Sequence, residues 1–270
     1  MNYGFIYPCD PFDSKKVEET FEDEFKEVSS RFPTFLINVD DLENKKQFKP
    51  IKESDLSFIY RGWMLTPENY EKLEDNCNYC LVTTKENYLK AHHLPLWYNE
   101  LSDLTPTSIV TTVEDAAKTF EDTGWDKAFI KDYVKSLKTG KGSIVDSRED
   151  IERALKDMVH YRGFIEGGIV LREVHTFLPE TEKRFFVANG LVYSPTGELL
   201  DEEKVIIDKV TDRKHNLFLY SIDLIKDRND KLWLVEIGDG QVSDCVGWDI
   251  KNFAKVFEVF LPIVENKMKM

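Results

Sequence analysis

Two carboxylates near the C-terminal end of this 270-residue sequence have the type and spacing for metal chemistry. Asp223 lies in the run Tyr220-Ser221-Ile222-Asp223-Leu224-Ile225, and Glu236 in Leu232-Trp233-Leu234-Val235-Glu236-Ile237. Each run is alternating or continuously apolar over a strand's length. The break between them, Lys226-Asp227-Arg228-Asn229-Asp230-Lys231, has the Asn/Asp content of a hairpin loop. Antiparallel pairing brings Asp223 and Glu236 together among apolar neighbours. Close carboxylates repel unless a proton or a cation lies between them, so the pair asks for a divalent metal. The alternative is two strand carboxylates that face solvent.

Cations stand upstream. Lys131 ends the apolar run Ala128-Phe129-Ile130, where a lysine either snorkels to the surface or holds an anion at the sheet's edge. Glu182 and Arg184 fall on one face of a strand, as a structural ion pair or as an arginine held for a phosphate. The segment from Lys135 to Ser143 is basic and glycine-containing within an acidic protein. Its ammonium and N–H groups suit phosphate oxygens. It is not a P-loop, because Gly140-Lys141-Gly142-Ser143 lacks the upstream glycine spacing, and alone it reads as a solvated loop. Cys77-x-x-Cys80 has no second cysteine pair, which argues against structural zinc, and it precedes a strand, which argues against a thioredoxin-like site. His92 and His93 are adjacent, so a helix would point them about 100° apart, as surface or packing residues of which one could touch a substrate. No nucleophile elbow is present.

The elements that position these groups fall into two parts. Residues 1–107 read as a small α/β domain with a mainly parallel sheet. Its strands are Gly4–Pro8, Phe35–Val39, Ser57–Tyr60 and Tyr79–Thr83, with a helix carrying Val17, Phe21, Phe25 and Val28 and another opened by Thr66-Pro67-Glu68. Trp97 to Pro106, with Pro95 just before it, reads as a connecting stretch. Residues 108–270 hold strands at 108–112, 128–131 and 168–174, and helices from Val113 to Asp122 and from Asp146 or Ser147 to His160. A hairpin there turns at Ala188-Asn189-Gly190, and a closing helix runs from Asp249 to Val264. Composition bounds the rest. The chain is 41% hydrophobic with no apolar run near the ~20 residues of a membrane span. Its net charge of −14 argues against a general nucleic-acid binder. The start lacks the layout of a signal peptide, and four cysteines do not make a disulfide scaffold, so a cytoplasmic location is expected.

In order, Phe129–Ser136, Val170–Val174, Glu182–Gly190 and the Asp223 and Glu236 strands resemble the ATP-grasp superfamily. Asp10-Pro11-Phe12 and Tyr60-Arg61-Gly62-Trp63-Met64 resemble a bacterial and phage clade within it. A more distant likeness is to the ATP-grasp proteins that help assemble a eukaryotic translation initiation factor. The resemblance implies an α/β (α+β) ATP-grasp fold, with the N-terminal α/β domain preceding it, and ATP and Mg²⁺ as cofactors. It implies that Lys131 contacts the α- and β-phosphates and that Lys135 and Ser136 open a mobile cover running to Ser143. Glu173 and Val174, with Arg172 beside them, would form the hinge that reads the adenine edge. Arg184 would meet the γ-phosphate and, with Lys131, act in catalysis, while Asp223 and Glu236 would bind Mg²⁺. The family often places Asn two residues after the second carboxylate. Here that position is Gly238, so Asp239 or Gln241 is expected to supply the ligand. Arg61 is expected to anchor an anionic substrate or the nucleotide's phosphates, unless it is a surface residue stacked on Trp63. The activity so implied is ATP-dependent carboxylate–amine ligation through an acyl-phosphate, with small-molecule or peptide substrates. The alternative is an ATP-binding assembly factor that grips a partner protein and ligates nothing.

Overall fold

A computed structural model describes residues 2–43, 56–77, 80–137 and 142–261. β1 (Asn2–Pro8) is the centre of a three-stranded sheet, paired in parallel with β2 (Thr34–Ile37) on one side and β3 (Leu56–Tyr60) on the other. A central parallel strand is covered on both faces and so reads as a continuous apolar run. Phe5, Ile6 and Tyr7 are accordingly all fully buried. Helices α1 (Glu22–Ser29) and α2 (Val39–Glu43) follow β1 and β2. The expected fourth strand is reduced to one parallel bridge between Leu81 and Phe58, and residues 78 and 79 lie outside the described residues.

α3 (Pro67–Asn76) starts where the Thr66 hydroxyl accepts from the Asn69 N–H and Pro67 occupies the first helical position. α4 (Lys85–His92) is capped in the same way by Thr84, and α5 (Leu94–Leu101) follows at once. The first half of the stretch expected to be a connection is therefore helix. Pro95 lies in the first turn, where its missing N–H costs no intrahelical bond. Trp97 and Leu101 are buried in a core shared with Phe185, Ile222 and Leu234.

β4 (Ser108–Thr111), β5 (Ala128–Asp132), β6 (Ile144–Val145) and β7 (Ile169–Glu173) form a second, antiparallel sheet in the order β4-β7-β5-β6, covered by α6 (Ala116–Thr123) and α7 (Arg148–Arg162). A third sheet, β11-β10-β8-β9, holds β8 (Lys183–Ala188), β9 (Leu191–Tyr193), β10 (Leu219–Lys226) and β11 (Leu232–Asp239), again antiparallel. Asn189 and Gly190 turn β8 into β9 with positive φ at both positions, the geometry that makes Asn-Gly a tight hairpin. α8 (Asp201–Arg213) packs on this sheet through Ile207 and Val210.

The closing helix is shorter than expected. α9 (Ile250–Ala254) gives way to a 3₁₀ turn over Lys255–Phe260, and residues 262–264 lie outside the described residues. Phe253 and Phe257 lie in one core with Phe5 of the first sheet and Phe186 of the third, so this segment ties the two sheets together. No described helix is long and apolar enough to cross a membrane.

Candidate active site

Antiparallel register sets the site. Asp223 on β10 lies opposite Glu236 on β11 and opposite Arg184 on β8, so three charged side chains form one row across the sheet. Immediately after Asp223 the register slips: Leu224 pairs with Leu234, which leaves Val235 as the extra residue of a β-bulge. The Val235 carbonyl accepts Arg172 Nη1 at 2.8 Å, tying the second sheet to the third. From β5 of that second sheet, Lys131 Nζ reaches Glu236 Oε1 at 2.9 Å and completes a row of four.

Each group in the row is held by its neighbour. Arg184 grips Asp223 with two bonds, Nε to Oδ1 at 2.8 Å and Nη2 to Oδ2 at 2.6 Å, and its Nη1 donates to Asp244. Burial pushes the Asp223 carboxyl up to about 6 against the pull of Arg184, and nearby Glu236 adds to the rise. Burial acts on Glu236 in the same direction, but Lys131, Arg184 and Arg172 overcome it and hold that carboxyl below its ordinary value. For Arg184, burial opposes the charge, and Asp223 and Asp244 more than restore it. Two cations and two carboxylates thus neutralise one another in a part-buried row. Such a row can open to take anionic phosphates on the cations and a divalent cation on the carboxylates. The donor set fits Mg²⁺, whose protein ligands are commonly one or two carboxylate oxygens.

The expected ion pair along the β8 strand is replaced by this cross-strand one, because Glu182 precedes β8 and Asp223 is directly opposite Arg184. Beside the row, the loop after β5 is anchored by Asp132, whose Oδ1 accepts the N–H groups of Val134 and Lys135 and whose Oδ2 pairs with Arg162 at 2.5 Å. Ser136 bridges back to Lys131, and the Leu137 N–H donates to Ser143 Oγ, which closes the base of the expected cover. Residues 138–141 of that cover lie outside the described residues. At the expected hinge, the Glu173 N–H is taken by the Thr107 carbonyl, and Val174 lies just past the end of β7.

Four expected positions turn out otherwise. Arg172 is buried and donates to Ser108 Oγ, Thr105 Oγ1 and the Val235 carbonyl. Burial lowers it to about 10, with Glu236 partly offsetting, and all three partners belong to the scaffold. Arg61 is 1% exposed and grips Glu24, so it neither meets solvent nor stacks on Trp63, whose ring packs on Phe21 instead. Asp239 is an odd three residues from Glu236 and so points to the opposite face of β11. Its Oδ1 accepts the Gln241 N–H, its Oδ2 is buried without a partner among the described residues, and burial pushes it up to about 7. Gln241 is fully buried between the Tyr60 N–H and the Tyr70 hydroxyl. Gly238 lies at a close approach: a Cβ there would come within 2.6 Å of Ser221 Oγ and 2.7 Å of Ser243 Oγ, which bond each other at 2.8 Å, so any side chain there would have to turn both hydroxyls away.

Sequence reasoning missed Asp244, which supplies the third carboxylate around Arg184, and the Ser221–Ser243 pair. Asp244 follows β11 in an irregular segment with no periodicity to mark it. It also missed a cavity of about 450 Å³ at the C-terminal ends of the first sheet's strands. Pro8, Asn38 and Trp63 form one side, and Lys135, Arg162 and Glu166 the other.

Residues 86–256 match a family described as an ATP-grasp domain, the third family of its clade. No curated protein matches the sequence. Among solved structures, D-cycloserine synthetase DcsG superposes with a TM-score of 0.63 at 10% identity, covering 96% of this chain and 100% of that one. The macrocyclase MdnC from Microcystis aeruginosa MRC, bound with precursor peptide MdnA, gives 0.56 at 11%, covering 95% and 99%. N5-carboxyaminoimidazole synthase from Aspergillus clavatus, in complex with ADP and 5-aminoimidazole ribonucleotide, gives 0.59 at 10%, covering 97% and 78%. At these identities the likeness is one of fold.

Proposed function

Since the chain belongs to this family of ATP-grasp domains, we propose that it is an ATP-dependent ligase that joins a carboxylate to an amine. The observation that carries this reading is the row Lys131–Glu236–Asp223–Arg184, in which two cations flank two carboxylates across two adjoining sheets. Lys131 and Arg184 exchange their carboxylate partners for phosphate oxygens, and Asp223 and Glu236 are then free to hold Mg²⁺. Bound there, the metal supplies Lewis-acid stabilisation of charge on the transferring phosphoryl group. A substrate carboxylate oxygen bonds to the γ-phosphorus as the bond to ADP breaks. The acceptor nitrogen then bonds to the acyl carbon as phosphate leaves. In this reading Arg184 stabilises charge on that phosphoryl group, and Lys131 orients the diphosphate.

The cavity suits the acceptor. Ligands of parallel α/β sheets bind beyond the carboxyl ends of the strands, which is where it opens. Its lining carries both signs, with Glu18, Asp40 and Glu166 beside Lys135 and Arg162. The fold neighbours named above act on small molecules and on a peptide, which fits either substrate class here.

The test is calorimetric titration of MgATP into the wild type and into Asp223→Ala, followed by phosphate release with amino acids, peptides and polyamines as acceptors. Metal-dependent binding that the substitution weakens at least about tenfold, with acceptor-dependent phosphate release, is the expected result. A folded wild type that binds no MgATP overturns it. Binding without acceptor-dependent release would favour a second reading, an assembly factor for a partner protein. Gly238, which carries no ligating side chain, supports that alternative.

A further inference from the structure

Among the described residues, one further group of metal-ligating side chains converges outside the row. His92, His93 and Glu166 each offer a ligand atom, and these atoms all lie within 4.8 Å of one another. His92 ends α4, His93 follows it, and Glu166 comes from the connection between α7 and β7. They are 3%, 8% and 7% exposed, so this is an interior cluster and not a chance meeting of surface groups.

The hydrogen bonds leave one imidazole nitrogen of the cluster open. His92 Nδ1 lies 2.6 Å from the Tyr88 carbonyl, which can only accept, so the proton is on Nδ1 and the lone pair on Nε2. That Nε2 is buried and has no hydrogen-bond partner among the described residues. An unpartnered buried polar atom costs about 1–3 kcal/mol. A backbone carbonyl on the far nitrogen is also the device that fixes the tautomer and orientation of metal-binding imidazoles. Burial, with His93 next in weight, lowers His92 to about 3 and keeps the ring neutral. His93 Nε2 lies 2.8 Å from Glu166 Oε1. Glu166 is itself fixed: its N–H donates to Asp132 Oδ2 and its carbonyl accepts from the Tyr133 N–H.

We propose that His92, His93 and Glu166 form a binding site for a borderline-soft divalent transition metal, with Zn²⁺ the best match, separate from the Asp223–Glu236 pair. Two imidazoles and one carboxylate are a recognised zinc donor set that leaves a fourth position open. Glu166 also lines the 450 Å³ cavity, so the cluster borders space open to solvent or substrate. Metal uptake would replace the contact between His93 Nε2 and Glu166 Oε1. The positive charge of Lys131 and Lys135 reaches His92 and works against a cation. The carboxylate of Glu166 supplies the offsetting charge.

The test uses the full chain without a histidine tag, stripped with chelator and titrated with Co²⁺ while visible absorption is followed, then with Zn²⁺ in competition. One equivalent of Co²⁺ with the bands of a low-coordinate nitrogen–oxygen site, displaced by one equivalent of Zn²⁺, is expected. Glu166→Gln keeps an oxygen for His93 but removes the anionic ligand, and His92→Gln removes the free imidazole lone pair. Each should weaken uptake by at least about tenfold while circular dichroism stays that of the wild type. Asp223→Asn should leave uptake unchanged. The proposal is overturned if the wild type takes up no equivalent, if both folded variants bind as it does, or if uptake is lost in Asp223→Asn instead. Because no nucleotide is present, these outcomes are independent of whether the chain is a ligase.

Discussion

Two arginines in this molecule make the same bond to a carboxylate, in opposite settings. Arg61 grips Glu24 through Nε and Nη2, both at 2.7 Å, and Arg184 grips Asp223 at 2.8 and 2.6 Å. Around Arg61 the other partners also come from within. Its Nη1 serves the Gly240 and Ser243 carbonyls, its plane lies over Phe253 at 5.0 Å, and Tyr7 donates to Glu24. The Arg61 and Glu24 side chains are 1% and 4% exposed. The Arg184 side chain is 23% exposed, its third nitrogen rests on the solvent-facing Asp244, and its partner Asp223 faces a second carboxylate. One pair is completed by groups that cannot leave. The other is completed by charges that a ligand can replace, and that distinction separates scaffold from site.

The comparison breaks most visibly at Arg61. Removing one partner of a buried ion pair leaves an uncompensated charge and costs about 3–5 kcal/mol. Arg61→Met should therefore lower the urea unfolding free energy by that amount, and adding Glu24→Gln should recover part of it. If Arg61→Met unfolds like the wild type but loses nucleotide binding, the roles assigned to the two arginines are reversed.

How much of this was legible follows from the range of each interaction. Asp223 and Glu236 could be read as a pair because a hairpin is local, and a period of two fixes which residues meet. The same parity places Asp239 on the other face, a signal present in the sequence that outweighs its nearness to Glu236 along the chain. Arg61 could not be read, since its enclosure is assembled from Glu24, from the segment 240–243 and from Phe253 and Phe257, all distant in sequence. Pro95 misled in the opposite direction, because a proline that breaks a helix interior is tolerated in its first turn. His92 and Glu166 are likewise brought together only by the fold.

Asp239 sharpens the contrast from a third side, as a buried carboxyl with no cation bonded to it among the described residues. Its folded value near 7 lies well above the ~3.9 of an unfolded aspartate, so between those values the native state holds the extra proton. Stability contributed by the protonated form is complete below about pH 4 and lost as the pH rises through about 7. Asp239→Asn should match the wild type at pH 4 and exceed it by roughly 2–4 kcal/mol at pH 8, as read from thermal or urea unfolding. A pH-independent difference would mean that Asp239 is ionised throughout and paired in a way the geometry does not show.

The smallest effect is expected at Asp244, and it bears most directly on what makes the second arginine available. Asp244 is largely exposed, and an exposed ion pair contributes about 0–1 kcal/mol. Asp244→Ala should thus change unfolding by less than about 1 kcal/mol, and that change should shrink further with added salt. Freed from one competitor, Arg184 should bind MgATP as well as before or a few-fold more tightly. A loss of several kcal/mol would mean that Arg184 is as enclosed as Arg61, and an abolished affinity for MgATP would mean that Asp244 belongs with Asp223 and Glu236 as a ligand of the metal. Only a near-silent substitution leaves the row of four as an exchangeable set held at its open end by solvent-facing charge.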